Sequence, residues 1–334
     1  MIEIDGSYGE GGGQILRTAI ALSCVTGEPI RVFNIRKKRS NPGLRPQHLT
    51  GILSAKQIVN GRCSGARVGS LEIEFYPGEP KAGNYFFDIG TAGSISLLLQ
   101  TLVPICLTTG APFRLKIVGG TDVTHSPLID YYRKVYFEHL CRAGAEIICN
   151  VERRGYYPRG GGIVKVNIDG RNFEGKFNLT EVGEGKFEGY TNASENLRKR
   201  RVCERMIAGA GEILELSKTE HDYSKTFSTG CGIVLVYVSN STIIGNDRLG
   251  EKGVPAEEIG RKCAKELKDF LAAPVDPYLA DHLVLWIALY GGKFITSRIT
   301  QHTLTNIWVC EKMLNVKFKV DKEKGEILVN NPYF

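Results

Sequence analysis

Apolar residues recur at helical spacing through Gln14–Thr26, Pro46–Asn60, Ile95–Thr109, Ser126–Ala143, Leu279–Tyr290 and Leu304–Leu314. Shorter runs are strand-like: Ile30–Ile35, Leu71–Tyr76, Phe113–Val118, Glu146–Val151, Gly162–Ile168, Lys293–Arg298, Val316–Val320 and Glu326–Val329. A period near 3.6 predicts helices that bury one face or are fully enclosed, and a period of two predicts half-buried strands.

The order of these elements repeats. A Gly-rich turn leads into a helix, then Gly27-Glu28-Pro29 and a strand; Gly90-Thr91-Ala92-Gly93-Ser94 leads into another helix, then Gly110-Ala111-Pro112 and a strand. Gly27 and Gly110 give a period of about 83 residues, the size of a supersecondary unit. Each unit continues with a second helix and a hairpin. A third copy is due near residue 193 but appears around Gly291-Gly292, displaced by about 98 residues. The displacement predicts an inserted domain at about 179–273, with a basic helix Leu197–Leu216, an apolar strand Gly232–Ser239 and a helix Ala256–Leu271. The flank Val182-Gly183-Glu184-Gly185 suits a boundary. The predicted fold is therefore α/β (α+β). A large domain spans 1–178 and 274–334, with repeats at about 1–82, 83–170 and 171–178 plus 274–334, and a small α/β insert spans 179–273.

Composition narrows the class. The chain has 334 residues, of which 42% are hydrophobic and 24% charged, as in a globular protein with ample core. Net charge is +7, compatible with an anionic ligand and far from a histone-like tail. Nine cysteines are scattered with no Cys-x-x-Cys pair, so reduced thiols in the cytoplasm are expected and no structural zinc site is readable. The most apolar run, Ile95–Thr109, contains Gln100 and Pro104 and is too short to span a bilayer.

Two stretches carry candidate chemistry. One is Asp5-Gly6-Ser7-Tyr8-Gly9-Glu10-Gly11-Gly12-Gly13-Gln14-Ile15-Leu16-Arg17, a glycine-rich turn opening a helix, which suits phosphate. The other is Gln301-His302-Thr303-Leu304-Thr305-Asn306-Ile307, placing a histidine between a strand and a helix expected to start near Leu304. A neutral imidazole can attack phosphorus, so His302 reads either as a nucleophile or as a structural cap. Glu10 reads as a ligand for Mg²⁺ or Mn²⁺ or as a solvated loop carboxylate. Arg17, Arg36, Arg39 and Gln47 read as phosphate ligands or as ordinary helix-face and loop residues. The run Arg198-Lys199-Arg200-Arg201, with Arg205, reads as a solvated helix face or an RNA-backbone contact.

The Gly-Glu-Gly-Gly-Gly-Gln-Ile-Leu-Arg start, Arg36 through His48, Gly119-Gly120-Thr121-Asp122 and His302-x-x-Thr305 together resemble the RNA 3′-terminal phosphate cyclases over essentially the whole chain. The resemblance implies three βαβαββ units like the C-terminal domain of translation initiation factor three, with a small inserted thioredoxin-like domain. It implies ATP-dependent closure of an RNA 3′-phosphate to a 2′,3′-cyclic phosphate through a histidine–AMP intermediate, in the manner of a ligase. His302 would be the nucleophile and Glu10 the contact for Mg²⁺ or Mn²⁺. Arg17, Arg36, Arg39 and Gln47 would hold phosphates. Gln100, Pro127, Tyr278, Asp281 and His282 would line the ATP site, Pro127 and Tyr278 sandwiching the adenine. The family reads Asp-Gln where this chain has Asp281-His282, so a direct contact from position 282 is in question. No matched catalytic residue lies in the insert, so its removal is expected to spare adenylation.

Two other classes compete. Relatives of this fold act in ribosome assembly as non-catalytic RNA-binding proteins and lack the nucleophilic histidine. Enolpyruvyl transferases are built from similar repeats but lack the His-x-x-Thr segment and the adenine-site pair.

Overall fold

The computed structural model describes residues 1–334. Three four-stranded sheets share one arrangement. The first is built from β1 (Ile2–Asp5), α1 (Gly13–Thr26), β2 (Ile30–Phe33), α2 (Pro46–Ile58), β3 (Arg62–Ser64) and β4 (Ile73–Tyr76), with strand order β1-β2-β4-β3. The second comprises β5 (Gly83–Asp88), α3 (Ile95–Thr108), β6 (Phe113–Gly119), α4 (Ile129–Tyr131), α5 (Phe137–Arg142), β7 (Glu146–Arg153) and β8 (Gly162–Asp169), in the order β5-β6-β8-β7. The third begins with β9 (Phe177–Leu179) and resumes much later. Between lie β10 (Gly185–Ser194), α6 (Val202–Gly211), β11 (Leu216–Ser224), β12 (Cys231–Ser239), β13 (Ile243–Leu249) and α7 (Ala256–Phe270), whose strands form a fourth sheet, β11-β10-β12-β13. The third sheet is completed after α8 (Pro277–Tyr290) by β14 (Gly292–Ile295), α9 (Gln301–Leu314), β15 (Lys319–Asp321) and β16 (Glu326–Val329), in the order β15-β16-β14-β9. In each of these three sheets the first two strands in sequence run parallel and the other pairings are antiparallel.

Parallel neighbours require a crossover, and the crossing helices make the core. Helix α1 packs against α2, α3 and α9, and α8 packs on α9. The fully apolar faces of α3 and α8 fill the interior with Leu98, Leu99, Leu102, Leu283, Trp286 and Ile287. Gly27 ends α1 in the left-handed conformation (φ 75°), its N–H returning to the Ser23 carbonyl at 3.0 Å.

Several expectations need correction. The basic helix Leu197–Leu216 is instead a 3₁₀ turn, Glu195–Arg200, a left-handed Arg201 (φ 49°), then α6; Leu216 already begins β11. The basic run therefore sits on a turn rather than along a helix face. The helix expected over Ser126–Ala143 starts at Ile129 and contains a π-helical turn, Tyr132–Tyr136, so Pro127 precedes it. Helix α9 starts at Gln301 behind the Thr300 cap, a turn earlier than expected. Strands β1, β3, β5, β9, β10, β11 and β13 are not among the elements expected from the sequence.

The segment between β9 and α8 is also less separable than expected. It has its own apolar cluster, including Met206, Leu235, Ile259 and Leu267. Yet Tyr190, Val234, Val236 and Ile243 belong to the main core. Its removal would strip buried surface from the body, so sparing of adenylation does not follow.

Candidate active site

Four helix N-termini converge on one region. A Cβ placed on Gly9, in the loop before α1, would lie 3.0 Å from Thr305 Oγ1 of α9; Gly9 has φ 53°, which also favours glycine. A Cβ on Gly13, the first residue of α1, would lie 2.4 Å from His48 Nε2 of α2. One on Gly93, just before α3, would lie 3.1 Å from Gln47 Cβ of α2. The glycines let these ends approach, and each helix start brings a partial positive charge to the region. Tyr8 stacks on Trp308 of α9 at 4.0 Å with 7° between planes, pinning the N-terminal loop there. The arrangement is built for anions.

His302 stands in the first turn of α9, its side chain about half exposed (49%). Its Nε2 lies 3.3 Å from Glu10 Oε2, and its Nδ1 lies 3.6 Å from Asp281 Oδ2. Hydrogen bonding to Asp281 raises the imidazole above its ordinary range; burial opposes this, the Asp281 and Glu10 charges add to it, and Arg17 subtracts. Asp281 is itself fixed: its Oδ1 accepts from Thr300 Oγ1 (3.0 Å) and Thr303 Oγ1 (2.6 Å), and its carbonyl accepts from Asn306 Nδ2 (2.9 Å). Thr300 and Thr303 meanwhile cap α9 reciprocally. Arg39 Nη2 reaches Glu10 Oε2 at 3.4 Å, and Lys38 Nζ donates to the Gly9 carbonyl at 3.2 Å.

A second chain runs inward. Arg17 Nε donates to Gln100 Oε1 at 2.7 Å, and Gln100 Nε2 lies 3.3 Å from His282 Nδ1. Burial pulls His282 down to about 4, so the ring is neutral and its Nδ1 accepts. His282 packs edge-on to Tyr132 and against Tyr136. It therefore sits behind Gln100 as a support. Burial also pulls Arg17 down to about 10, still cationic at neutral pH. Arg17, Gln47 and His48 line one small cavity between α1, α2 and α3.

Not every candidate is wholly free to bind. Arg36 Nη1 donates to the carbonyls of Asn41 (2.8 Å) and Gly43 (3.2 Å), so that nitrogen shapes its own loop and leaves Nε and Nη2 to meet a ligand. Pro127 is anchored through its carbonyl, which accepts from Ser96 Oγ at 2.7 Å. Tyr278 is 38% exposed, with Tyr131 edge-on at 6.3 Å and Phe270 at 6.0 Å.

Two residues have no role assigned from the sequence, although His48 closes the Arg36–His48 motif. His48 is buried and its Nδ1 accepts from the Arg45 N–H at 3.2 Å; burial, with Arg17, Arg36 and Arg45 adding, lowers it to about 3. It is a neutral ring with Nε2–H directed at the start of α1. Asp247 of β13 accepts from the Leu128 N–H at 2.5 Å, and burial pushes it up to about 7. It brings the fourth sheet up to Pro127-Leu128 and Tyr278. No periodicity signals either residue, because both depend on the meeting of elements distant in sequence.

No group of three or more His, Cys, Asp or Glu side chains is placed to hold a metal. Glu10 offers a single carboxylate, which fits a hard cation that keeps waters and shares phosphate oxygens of a ligand, as Mg²⁺ does.

A family model described as RNA 3′-terminal phosphate cyclase matches residues 8–320. The chain is similar to proteins of that description from several archaea. One from Pyrococcus furiosus is 44% identical, with 98% of each chain covered. One from Thermococcus kodakarensis is 42% identical, covering 97% of this chain and 96% of the relative. One from Methanosarcina acetivorans is 43% identical, covering 97% and 98%.

Proposed function

The chain belongs to the RNA 3′-terminal phosphate cyclase family, and from that premise we propose that it is an enzyme closing an RNA 3′-phosphate into a 2′,3′-cyclic phosphate at the expense of ATP. His302 Nε2 attacks the α-phosphorus of ATP; the P–O bond to the β-phosphate breaks and pyrophosphate leaves. The resulting phosphoramidate passes AMP to an oxygen of the RNA 3′-phosphate, returning the electron pair to Nε2. The vicinal 2′-hydroxyl then attacks that phosphorus, losing its proton, and AMP departs.

The observation that carries this reading is the two-sided environment of His302. Asp281, held by two threonine hydroxyls, faces Nδ1, keeps the proton on that nitrogen and leaves the Nε2 lone pair outward. Nε2 points to Glu10 at the convergence of helix N-termini, with Arg17 and Arg39 close by. Helix ends and guanidinium groups stabilise charge developing on a phosphoryl group. Mg²⁺ or Mn²⁺, when bound with the nucleotide, supplies charge neutralisation for the leaving pyrophosphate. Glu10 would hold it, and in doing so would cease to favour a proton on Nε2.

Pro127 and Tyr278 are proposed to flank the adenine, with Gln100 beside it and His282 supporting Gln100. Arg17, Arg36, Arg39 and Gln47 are proposed to hold phosphates, Arg36 through the nitrogens its own loop does not engage. The identical strand orders support reading the chain as three βαβαββ units, the last interrupted between β9 and α8. The non-catalytic alternative is not favoured, since every reactive group it would dispense with is present.

The test is incubation with [α-³²P]ATP and either metal, then a denaturing gel. Label on the wild type and none on His302→Ala is expected. Equal label on both would remove His302 from the mechanism, and no label on folded wild type would remove adenylation.

A further inference from the structure

The cyclase reading needs only the last phosphate of the RNA at His302, and assigns no place to the strand behind it. Two loops beside the active site expose aromatic rings to solvent. Tyr157, in the β7–β8 loop, is 74% exposed, the largest exposure among the bulky apolar and aromatic side chains. Phe227, in the β11–β12 loop, is 54% exposed. Leaving such surface in water forgoes the gain of burying it, so exposed rings on two adjoining loops mark a contact site.

The charges around these rings are cationic. Arg153 Cζ sits 4.4 Å from the centre of the Phe227 ring, its Nε donating to the Gly161 carbonyl at 2.7 Å. Arg159 and Lys225 are exposed, and none of the three takes part in an ion pair, whereas the nearby Glu152, Glu195 and Asp222 are each bound to another base. Rings flanked by free cations suit bases that stack while their phosphates meet positive charge, which is how single strands are held without sequence preference. Duplex RNA hides its base faces and would not use them.

The loops are also continuous with the active site. A Cβ on Gly161 would lie 2.4 Å from the Phe227 ring, and one on Gly160 2.7 Å from Ala92 Cα. Gly93 adjoins Ala92, and a Cβ on it would lie 3.1 Å from Gln47 Cβ. Arg159 N–H donates to Ser228 Oγ at 3.1 Å, tying the two loops together. We propose that the Tyr157–Phe227 surface, with Arg153, Arg159 and Lys225, is the track for the single-stranded RNA immediately 5′ of the phosphate end. The proposal rests on the cyclase reading for the location of that end.

The test measures equilibrium binding of 5′-fluorescent oligouridylates bearing a 3′-phosphate to the full chain, by anisotropy, with strands of two and of about ten nucleotides. The wild type is expected to bind the longer strand more tightly. Tyr157→Ala and Phe227→Ala should each weaken the longer strand by about fivefold or more, the order of one missing base stack. The double variant R159E/K225E should lessen the salt dependence by about 0.7 in log–log slope for each phosphate it no longer neutralises. The dinucleotide should bind all forms alike, and ATP-dependent labelling of His302 should be unchanged in each, which reports an intact fold. Affinity for the longer strand within about twofold of wild type in both Tyr157→Ala and R159E/K225E would overturn the proposal. So would a wild type that binds both lengths equally. A wild type that binds by length but never takes up label would sink the cyclase reading and leave the track standing.

Discussion

The Asp281 carboxylate and the His302 imidazole form the joint between α8 and α9, with Oδ2 3.6 Å from Nδ1 while Oδ1 is held by both hydroxyls of the α9 cap. The groups that start the helix thus also aim the acid at its second residue. Thr300 and Thr303 each accept a backbone N–H and donate to Asp281, so helix start and histidine orientation are one structure.

Asp281→Asn keeps the size of the side chain but removes the charge and offers an amide where an acceptor is needed. The hydroxyl network must reorganise, and Nδ1–H loses its partner. The rate of His302–AMP formation should fall roughly 10- to 100-fold, the usual effect of removing an orienting partner of a functional imidazole. Single-turnover labelling would measure it. A rate within twofold of wild type would mean that Nδ1 needs no such partner.

The neighbouring carboxylates also set a pH dependence. His302 is raised above its ordinary value near 6.5, first through Asp281, so its neutral, nucleophilic form is gained as pH rises through that higher value. In stability terms the protonated ring contributes below about 6.5, and the contribution is lost as pH rises through the raised value. NMR titration of the metal-free protein should place the His302 midpoint above 6.5, and Glu10→Gln should lower it by removing one of the two charges. A midpoint at or below about 6.5 in the wild type would contradict the two-carboxylate environment.

The phosphate-seeking ends of this site were partly written in the sequence. Gly11-Gly12-Gly13 before an apolar helix signalled one helix N-terminus, and the repeat period pointed to Gly93 as a second. The convergence of α1, α2, α3 and α9 was not legible, because it comes from glycine-permitted approaches between residues as far apart as Gly9 and Thr305. Strand β9 was missed for a related reason. Three residues, Phe177–Leu179, show no period, and they pair with β14, far along the chain beyond the fourth sheet. The basic run at Arg198 misled in the other direction: its charges imply an exposed face but not whether that face is helix or turn.

Asp247 tests the junction with the fourth sheet. Its carboxyl, pushed up to about 7 by burial, is costly when charged, and Asp247→Asn can still accept from the Leu128 N–H. Because the folded value lies above the unfolded one near 3.9, the native acid loses stability as pH rises toward 7. The asparagine variant should melt higher by about 1–2 °C at pH 8, the shift that about 1 kcal/mol gives in a chain of this length. The gain should shrink toward pH 4. A variant that melts lower at pH 8 would show that the charge is needed there.

Arg154 carries the same junction on the other side. It is almost fully buried, at 4% side-chain exposure. Nη2 lies 2.7 Å from Asp130 Oδ2, Nε 2.8 Å from Asp222 Oδ2 on β11, and Nη1 3.5 Å from Asp122 Oδ2. Asn192 of β10 donates toward Asp122 at 3.3 Å and Asp130 at 3.4 Å while accepting from Tyr156 at 2.6 Å. Burial raises Asp122 to about 6; Asp130, though equally enclosed, is held below its ordinary value by Arg154 and Arg133. Arg154→Ala would leave Asp122 buried without its base and Asp130 with Arg133 alone, a loss of about 3–5 kcal/mol. Asp222→Asn, at a side chain 45% exposed, should cost less than about 1 kcal/mol. Without Arg154 the two acids would bind protons more readily folded than unfolded. The deficit of Arg154→Ala should therefore be greatest above pH 7 and lessen toward pH 4. Denaturant midpoints at pH 8 and pH 5 would decide it. A deficit of equal size at both would point to a packing defect alone, and equal losses in Arg154→Ala and Asp222→Asn would assign the junction to the surface pair.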